Sequence, residues 1–491
     1  MTAITTTTQV IRGSRRTAAL VLLSFVHFML VLDDSVVNVA LATVRDDLGF
    51  GTAGLAWVVN AYFLTFGALL LPGGRAADLL GRRAVFVVGV SLFGAASLAC
   101  GLAQEPWQLV TGRFLQGTGA ALASPAAMSM ITLMYPGEGE RAKAMGVWGG
   151  VAALGGTTGL VVSGVLTDLL SWRWAFFINV PIAVGALLLA PRLLPGGRPA
   201  HRPRIDVPGA LLGTGALLAL VNGLLRTAEA GWDPQTAVSL LLALVLGAAF
   251  LAVEARTAEP LVPLAFLAVR VRAVAYGTSL LFTAAFFALT FLIMLHLQNV
   301  MGYSPLKAGM AYLPYAAGVL TGVWLSARTV ARFGVRPPLV VSFVVSAIGM
   351  LMLSRVSEGD GYAAAVLPGV IVVSVASGLG FPALAIAAVT DTTERDAGLG
   401  SALLSSVQQI GGAVGIAALV SLAASQGDPV HGSGDAATDG FALAMVVAAG
   451  FMTLGAVVIA TLMPGRAPTE GQPDGTVEAT TSAATSPDAD G

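Results

Sequence analysis

The chain is predicted to be an all-α integral membrane protein with fourteen transmembrane helices. Three observations predict this. Of 491 residues, 56% are hydrophobic and 11% charged, with mean hydropathy +0.82; soluble chains carry about 25% charged residues, so this one cannot clothe a water-facing surface. Fourteen apolar segments recur along it, most of them near the ~20 residues needed to cross a bilayer. The basic residues between them gather in alternate connections, as the positive-inside rule requires.

The first segment, Thr17–Val39, follows Arg12, Arg15 and Arg16, which sets the N-terminus in the cytoplasm. It is too long for a signal peptide and no small-residue cleavage site follows it, so it is expected to be retained. Five more segments lie at Leu55–Gly74, Ala84–Ala103, Trp107–Leu133, Ala144–Leu166 and Trp174–Leu194. Gly209–Leu225 and Thr236–Val253 are shorter. The last six are Ala273–Leu295, Ala308–Val330, Pro338–Leu353 (also short), Ala363–Val389, Leu399–Ala424 and Phe441–Met463. With the N-terminus inside, twenty of the 26 basic residues fall on the cytoplasmic side. Five lie outside, and Arg113 is intramembrane. A twelve-span reading would swap several loops and spoil this bias. The even count places the C-terminus inside as well.

An internal repeat divides the chain. Gly117-Thr118-Gly119, Pro125, Glu140-Arg141, Gly146 and Gly155-Gly156 are echoed by Gly378-Leu379-Gly380, Pro382, Glu394-Arg395, Gly400 and Gly411-Gly412. Spans four and five thus match spans twelve and thirteen, an offset of eight spans. Two six-span halves with two spans inserted between them explain that offset, and parallel six-span repeats around a midplane site describe one large class of transporters. The expected organisation is a cytoplasmic tail at 1–16, an N-terminal six-helix bundle at 17–194 and a cytoplasmic linker at 195–205. Two additional spans follow at 206–256, then a C-terminal six-helix bundle at 257–463. A Pro-, Ser-, Thr- and Asp-rich cytoplasmic tail at 464–491 has the composition of a disordered segment.

Several functions are excluded by what is missing. The single cysteine, Cys100, lies mid-span, so no disulfide within the chain and no cysteine metal site is expected. The net charge of −1 gives no footprint for nucleic acid. No phosphate-binding loop occurs, so ATP is not the expected energy source. The four histidines, His27, His201, His296 and His431, are scattered. No nucleophile-and-base pair stands out, so an enzyme or sensor is a remote alternative, and no cofactor is expected.

The charged residues inside the spans carry the functional reading. Asp33 and Asp34 sit in span one and Arg113 in span four; charges within hydrocarbon are costly and are functional by default. At 1.5 Å per residue, Asp33 and Arg113 both lie roughly 9 Å below the outer surface, so they are expected to pair or to share a water-filled cavity. Burial and a nearby guanidinium act in opposite senses on a carboxyl's hold on its proton, and together they can poise it for exchange. On a helix Asp34 shares a face with His27 and Asn38, while Asp33 points about 100° away. Gln116, one turn below Arg113, is placed to hold its guanidinium. Tyr62, Gln408 and Gln409 are further candidates to line a cavity. The cytoplasmic loop after span two, Gly74-Arg75-Ala76-Ala77-Asp78-Leu79-Leu80-Gly81-Arg82-Arg83, has glycines for tight turns. Its Asp78 can cap the next helix or pair with Arg82 or Arg83, latching helix ends together. In span five, Gly155, Gly159 and Ser163 recur every four residues with Gly164 beside them, a small-residue stripe for close helix contact.

These motifs together resemble the major facilitator superfamily, and within it the fourteen-span drug:proton antiporters. The resemblance rests on Leu32-Asp33-Asp34-Ser35-Val36-Val37-Asn38-Val39-Ala40-Leu41, Trp57-Val58-Val59-Asn60-Ala61-Tyr62 and Gly74…Asp78…Gly81-Arg82-Arg83. It extends to Arg113-Phe114-Leu115-Gln116-Gly117 and Ser171-Trp172-Arg173-Trp174-Ala175-Phe176-Phe177-Ile178-Asn179-Val180-Pro181. It implies the major facilitator fold, two six-helix bundles plus two extra central spans. It also implies a proton-driven exporter of small amphipathic drugs or antibiotics working by alternating access. The partners are then a lipophilic or cationic small molecule, protons and the lipid bilayer, for a monomer in the plasma membrane. The resemblance favours Asp33 as the proton carboxylate; the polar face favours Asp34. Asp33 is taken first and Asp34 second. Leu160 stands where the antiporter motif has proline, so close packing is kept and the proline kink is not. A transporter of a metabolite such as a sugar, peptide or siderophore is the alternative.

Overall fold

The computed structural model describes residues 13–196, 206–357, 359–390, 392, 394–426 and 434–464. The cytoplasmic tails and most of the linker proposed above lie outside these residues. Among those described there are only helices: α1 (Gly13–Leu48), α2 (Thr52–Leu80), α3 (Arg82–Gly101), α4 (Pro106–Met134), α5 (Glu138–Leu169), α6 (Trp174–Phe177) and α7 (Asn179–Leu193). These are followed by α8 (Val207–Ala230), α9 (Pro234–Glu254), α10 (Leu264–Leu267), α11 (Arg270–Leu295), α12 (Pro305–Ala311), α13 (Leu313–Phe333), α14 (Arg336–Leu353), α15 (Leu367–Ala388), α16 (Glu394–Ala424) and α17 (Asp435–Leu462). A π-helical turn, His296–Val300, ends α11 and another, Tyr362–Val366, precedes α15. Thirteen helical stretches among the described residues are long and apolar enough to cross a membrane. α4 has the length as well, at 29 residues, but its charge, amide and small side chains lower its hydropathy. The chain is a multi-pass membrane protein.

The helices outrun the apolar segments at both ends because polar residues cap them where water resumes. Asp233 accepts the Thr236 N–H at 2.6 Å to start α9, and Ser304 accepts the Lys307 N–H to start α12. The turn between α2 and α3 is a single glycine, Gly81, at φ +100°, a conformation costly for any side chain.

The repeat read in the sequence is a repeat of packing. α3 lies on α4 as α14 lies on α15, α2 on α4 as α13 on α15, and α1 on α5 as α11 on α16. Pro125 inside α4 and Pro382 inside α15 occupy matching places. The hairpin α8–α9 leans on α2 and α16, against the seam between the halves. Close approaches are made through glycines: a Cβ on Gly73 would stand 2.2 Å from the Ala121 carbonyl oxygen, and one on Gly322 2.1 Å from that of Val375. In lipid, where burial of apolar surface no longer drives association, such contacts hold helices together.

The halves meet on the face opposite the chain termini. There Arg45 donates to Asn299 at 3.1 Å and Gln298 to the Val39 carbonyl at 3.1 Å. Asp168 accepts the Ser304 hydroxyl at 2.8 Å and the Leu306 N–H at 3.3 Å. Gly164 and Gly309 let α5 and α12 touch backbone to backbone.

Candidate functional site

α1 turns Asp33 and Asp34 to different faces, and the two carboxylates have different neighbours. Asp33 points into the N-terminal bundle and is fully buried. Its Oδ2 lies 2.5 Å from Nη1 of Arg113 on α4. Its Oδ1 accepts from Gln116 Nε2 at 3.0 Å and from Asn179 Nδ2, on α7, at 2.7 Å. The Gln116 side chain reaches both ways: its oxygen accepts from Arg113 at 3.0 Å and its amide donates to Ser97 on α3 at 2.7 Å. Arg113 Nε donates to the Val58 carbonyl at 2.9 Å, and its guanidinium lies 4.5 Å from the centre of the Tyr62 ring. The two charges placed at matched depth by the sequence therefore touch, and five helices supply the polar atoms around them. Such satisfaction is what makes a buried ion pair tolerable.

Asp34 faces the other way. With Ser35 and Asn38 it lines a cavity of about 270 Å³ between the halves, whose far wall includes Phe287, Thr290, Tyr312 and Tyr315. Asp34 Oδ1 is buried and has no hydrogen-bond partner. The Tyr312 and Thr290 hydroxyls are 3.1 Å apart, and Tyr315 donates to Ser377 at 3.4 Å. One wall thus brings an acid, and the other brings hydroxyls and aromatic rings.

The remaining candidates spread out. Asn38 is on the cavity wall, where its amide donates to the Asp34 main-chain carbonyl at 2.9 Å. His27, two turns away on α1, stacks on Trp148 of α5 with ring centres 4.0 Å apart. Tyr62 and Gln116 are buried around Arg113 and are not among the residues lining the 270 Å³ cavity. Gln408 and Gln409 are not among them either; Gln409 sits at the α2–α16 seam against Gly67.

In the loop after α2, Asp78 pairs with Arg82 at 3.3 Å and does not cap α3. Arg83 reaches the Pro191 and Leu194 carbonyls at the end of α7, at 3.5 and 3.4 Å. Gly74 has room, with Pro125 3.7 Å from a Cβ built there. In α5, Gly155 and Gly159 pack on Phe28, Leu32 and Ser35 of α1, and Ser163 donates to the Val36 carbonyl at 2.5 Å. Gly164 faces across to Pro305 and Leu306 in the other half.

Residues 23–416 match the family described as Major Facilitator Superfamily. This chain belongs to that superfamily. The facilitator is 39% identical over 471 residues to the puromycin resistance protein pur8 of Streptomyces alboniger, covering 92% of each chain. It is 38% identical over 462 residues to the lincomycin resistance protein of Streptomyces lincolnensis, covering 93% of each. It is 38% identical over 425 residues to the cephamycin export protein CmcT of Amycolatopsis lactamdurans, covering 84% of this chain and 86% of that one. A POT family transporter in complex with a thioalcohol-conjugated peptide superposes with TM-score 0.67 at 14% identity, covering 91% of this chain and 97% of that one. The inward-open xylose transporter XylE from E. coli gives 0.61 at 14%, covering 92% and 98%. At such identity these two establish the facilitator's fold alone.

Sequence reasoning gave no role to Asn179 or Ser97, which complete the shell of Asp33, nor to Thr290, Tyr312 and Tyr315. An asparagine inside span six was a signal of the intramembrane-polar kind. The hydroxyls of the second half stood in apolar stretches with no charge beside them to mark a cavity.

Proposed function

We propose that this facilitator exports small lipophilic, antibiotic-like molecules in exchange for protons, as a monomer in the plasma membrane with both termini cytoplasmic. One observation carries the reading. Of two adjacent carboxylates, Asp33 is locked to Arg113, while Asp34 offers an unpartnered oxygen to a cavity between the halves. A carboxylate in that setting needs a proton or a cation beside it. A cationic drug and a proton then compete for Asp34. Protonation of Asp33 would free Arg113 and loosen the bundle against its partner. The contacts that close the face opposite the termini would open in the other half of the cycle, as one bundle rocks against the other. The loop pair Asp78–Arg82 and the Arg83 contacts would hold the N-terminal bundle together at its cytoplasmic end while it moves. Relatives named for puromycin and lincomycin resistance and for cephamycin export support the direction and the substrate class. The metabolite alternative has only likeness of fold behind it.

Proteoliposomes with an internal pH dye test the reading. Addition of puromycin to vesicles bearing a proton gradient should evoke proton movement. Asp33→Asn should abolish it, and Asp34→Asn should abolish it for cationic drugs while sparing neutral ones. Drug uptake without proton movement, or two variants that behave as the parent does, would overturn the proposal.

A further inference from the structure

A second and larger void, about 820 Å³, lies where α8 and α9 lean on the seam between the halves. Its walls are almost wholly apolar, with Leu71 of α2, Leu217 and Leu220 of α8, Leu244 and Leu251 of α9, and Val407 of α16. The seam separates it from the central cavity. Ser406 donates to the Gly67 carbonyl at 2.6 Å, and a Cβ on Gly67 would stand 2.9 Å from that of Gln409. Volumes of roughly 300–1,000 Å³ with apolar walls and a few polar points are those of small-molecule sites.

The polar points are present. At the end of the void nearest the chain termini lie Asp206 and Glu254, 7% and 3% exposed. Each carboxylate gives one oxygen to a backbone N–H: Asp206 Oδ1 to Gly209 at 2.9 Å, Glu254 Oε2 to Val262 at 3.1 Å. The other two oxygens, Asp206 Oδ2 and Glu254 Oε1, are buried with no partner. Both point at Gly209, a wall residue of the void: a Cβ there would stand 2.6 Å from the first and 3.0 Å from the second. Arg75, the cation that acts on Glu254, donates to the Glu259 and Pro260 carbonyls and pairs with the Glu259 carboxylate at 3.9 Å. Farther along the wall, the Thr214 hydroxyl is buried without a partner. Threonines elsewhere in these helices, such as Thr283 and Thr329, return theirs to the carbonyl four residues back.

Two adjacent acidic oxygens left open at one end of a greasy chamber are matched by a donor-bearing cation with an apolar body. We propose that this void binds a lipophilic ammonium ion. Its N–H groups bridge Asp206 Oδ2 and Glu254 Oε1, and its hydrocarbon fills the space between α8, α9 and α16. An anionic amphiphile is repelled there, and a lipid tail alone leaves both oxygens unmet. The site is separate from Asp34 and does not rest on proton exchange.

The test uses the full chain in phosphatidylcholine nanodiscs, with a long-chain primary amine carrying a photoreactive diazirine and an alcohol of the same length. Peptide mapping should find the amine on α8, α9 and α16 at roughly ten-fold the yield of the alcohol, as charge-assisted hydrogen bonds imply. The double variant Asp206→Asn/Glu254→Gln keeps both backbone caps and should bring the amine down to the alcohol's level. Ala216→Phe, which fills the void, should lower both labels. Asp34→Asn should leave labelling here unchanged even where it abolishes transport. Equal labelling by amine and alcohol would make the void a lipid-filled groove only. Amine labelling untouched by the carboxylate variant, in protein that melts normally, would also overturn the proposal.

Discussion

Asp33 and Arg113 form an ion pair at 2.5 Å with neither side chain more than 1% exposed. It ties α1 to α4 at the middle of the N-terminal bundle. Removing one partner strands the other charge, which typically costs about 3–5 kcal/mol, whereas removing both can be nearly neutral. Arg113→Met should therefore lower the thermal midpoint of detergent-purified protein sharply. Asp33→Asn/Arg113→Met should recover more than half of that loss. A double variant as fragile as the single one would show that the pair is not what holds these helices.

Asn179 completes the shell of Asp33 from α7 with a 2.7 Å hydrogen bond. A hydrogen bond to a charged group contributes about 1.5–3 kcal/mol. Asn179→Leu should destabilise by an amount in that range. The effect should shrink in the Asp33→Asn background, because the two residues act through one contact. Equal losses in both backgrounds would place the role of Asn179 in packing.

The fourteen apolar segments, the two-half repeat and the meeting of Asp33 with Arg113 were legible because they follow from hydropathy and from helical rise, which are local properties. The division of labour between Asp33 and Asp34 was not. Helix geometry says that the two point about 100° apart. It does not say which direction faces α4 and which faces the other half, since that is settled by how α1 packs. The same limit hid Tyr312, Tyr315 and Thr290, whose cavity exists only once the halves are docked. Asp206 and Glu254 read as ordinary helix-end acids until α8 and α9 brought them together over Gly209.

The closure opposite the termini depends on bare backbone. A Cβ on Gly309 would stand 2.6 Å from the Leu160 carbonyl oxygen, and one on Gly164 2.7 Å from the Leu306 Cα. Neither neighbour is a flexible side-chain tip, so Gly309→Val should force α5 and α12 apart. Spin labels on Asp46→Cys and Lys307→Cys, with the buried Cys100 replaced by alanine, report the gap. The variant should populate longer distances than its parent. An unchanged distance distribution in folded protein would mean that the contact is incidental to closure.

The hairpin between α8 and α9 carries a pH signature outside the spans. Hydrogen bonds from the Thr236 side chain and backbone, and from Arg226, hold Asp233 down to about 2. An unfolded Asp titrates near 3.9. Because the folded value is the lower one, the ionised cap stabilises the hairpin at every pH above ~3.9 and the effect is lost as pH falls through about 2. Amide protection in the first turn of α9 should therefore stay flat from neutral pH to about 4 and decline below it. Asp233→Ala should show weaker protection already at neutral pH and no further decline over the acid window. Protection equal to the parent's at neutral pH would mean that the surrounding helices, and not Asp233, fix the start of α9.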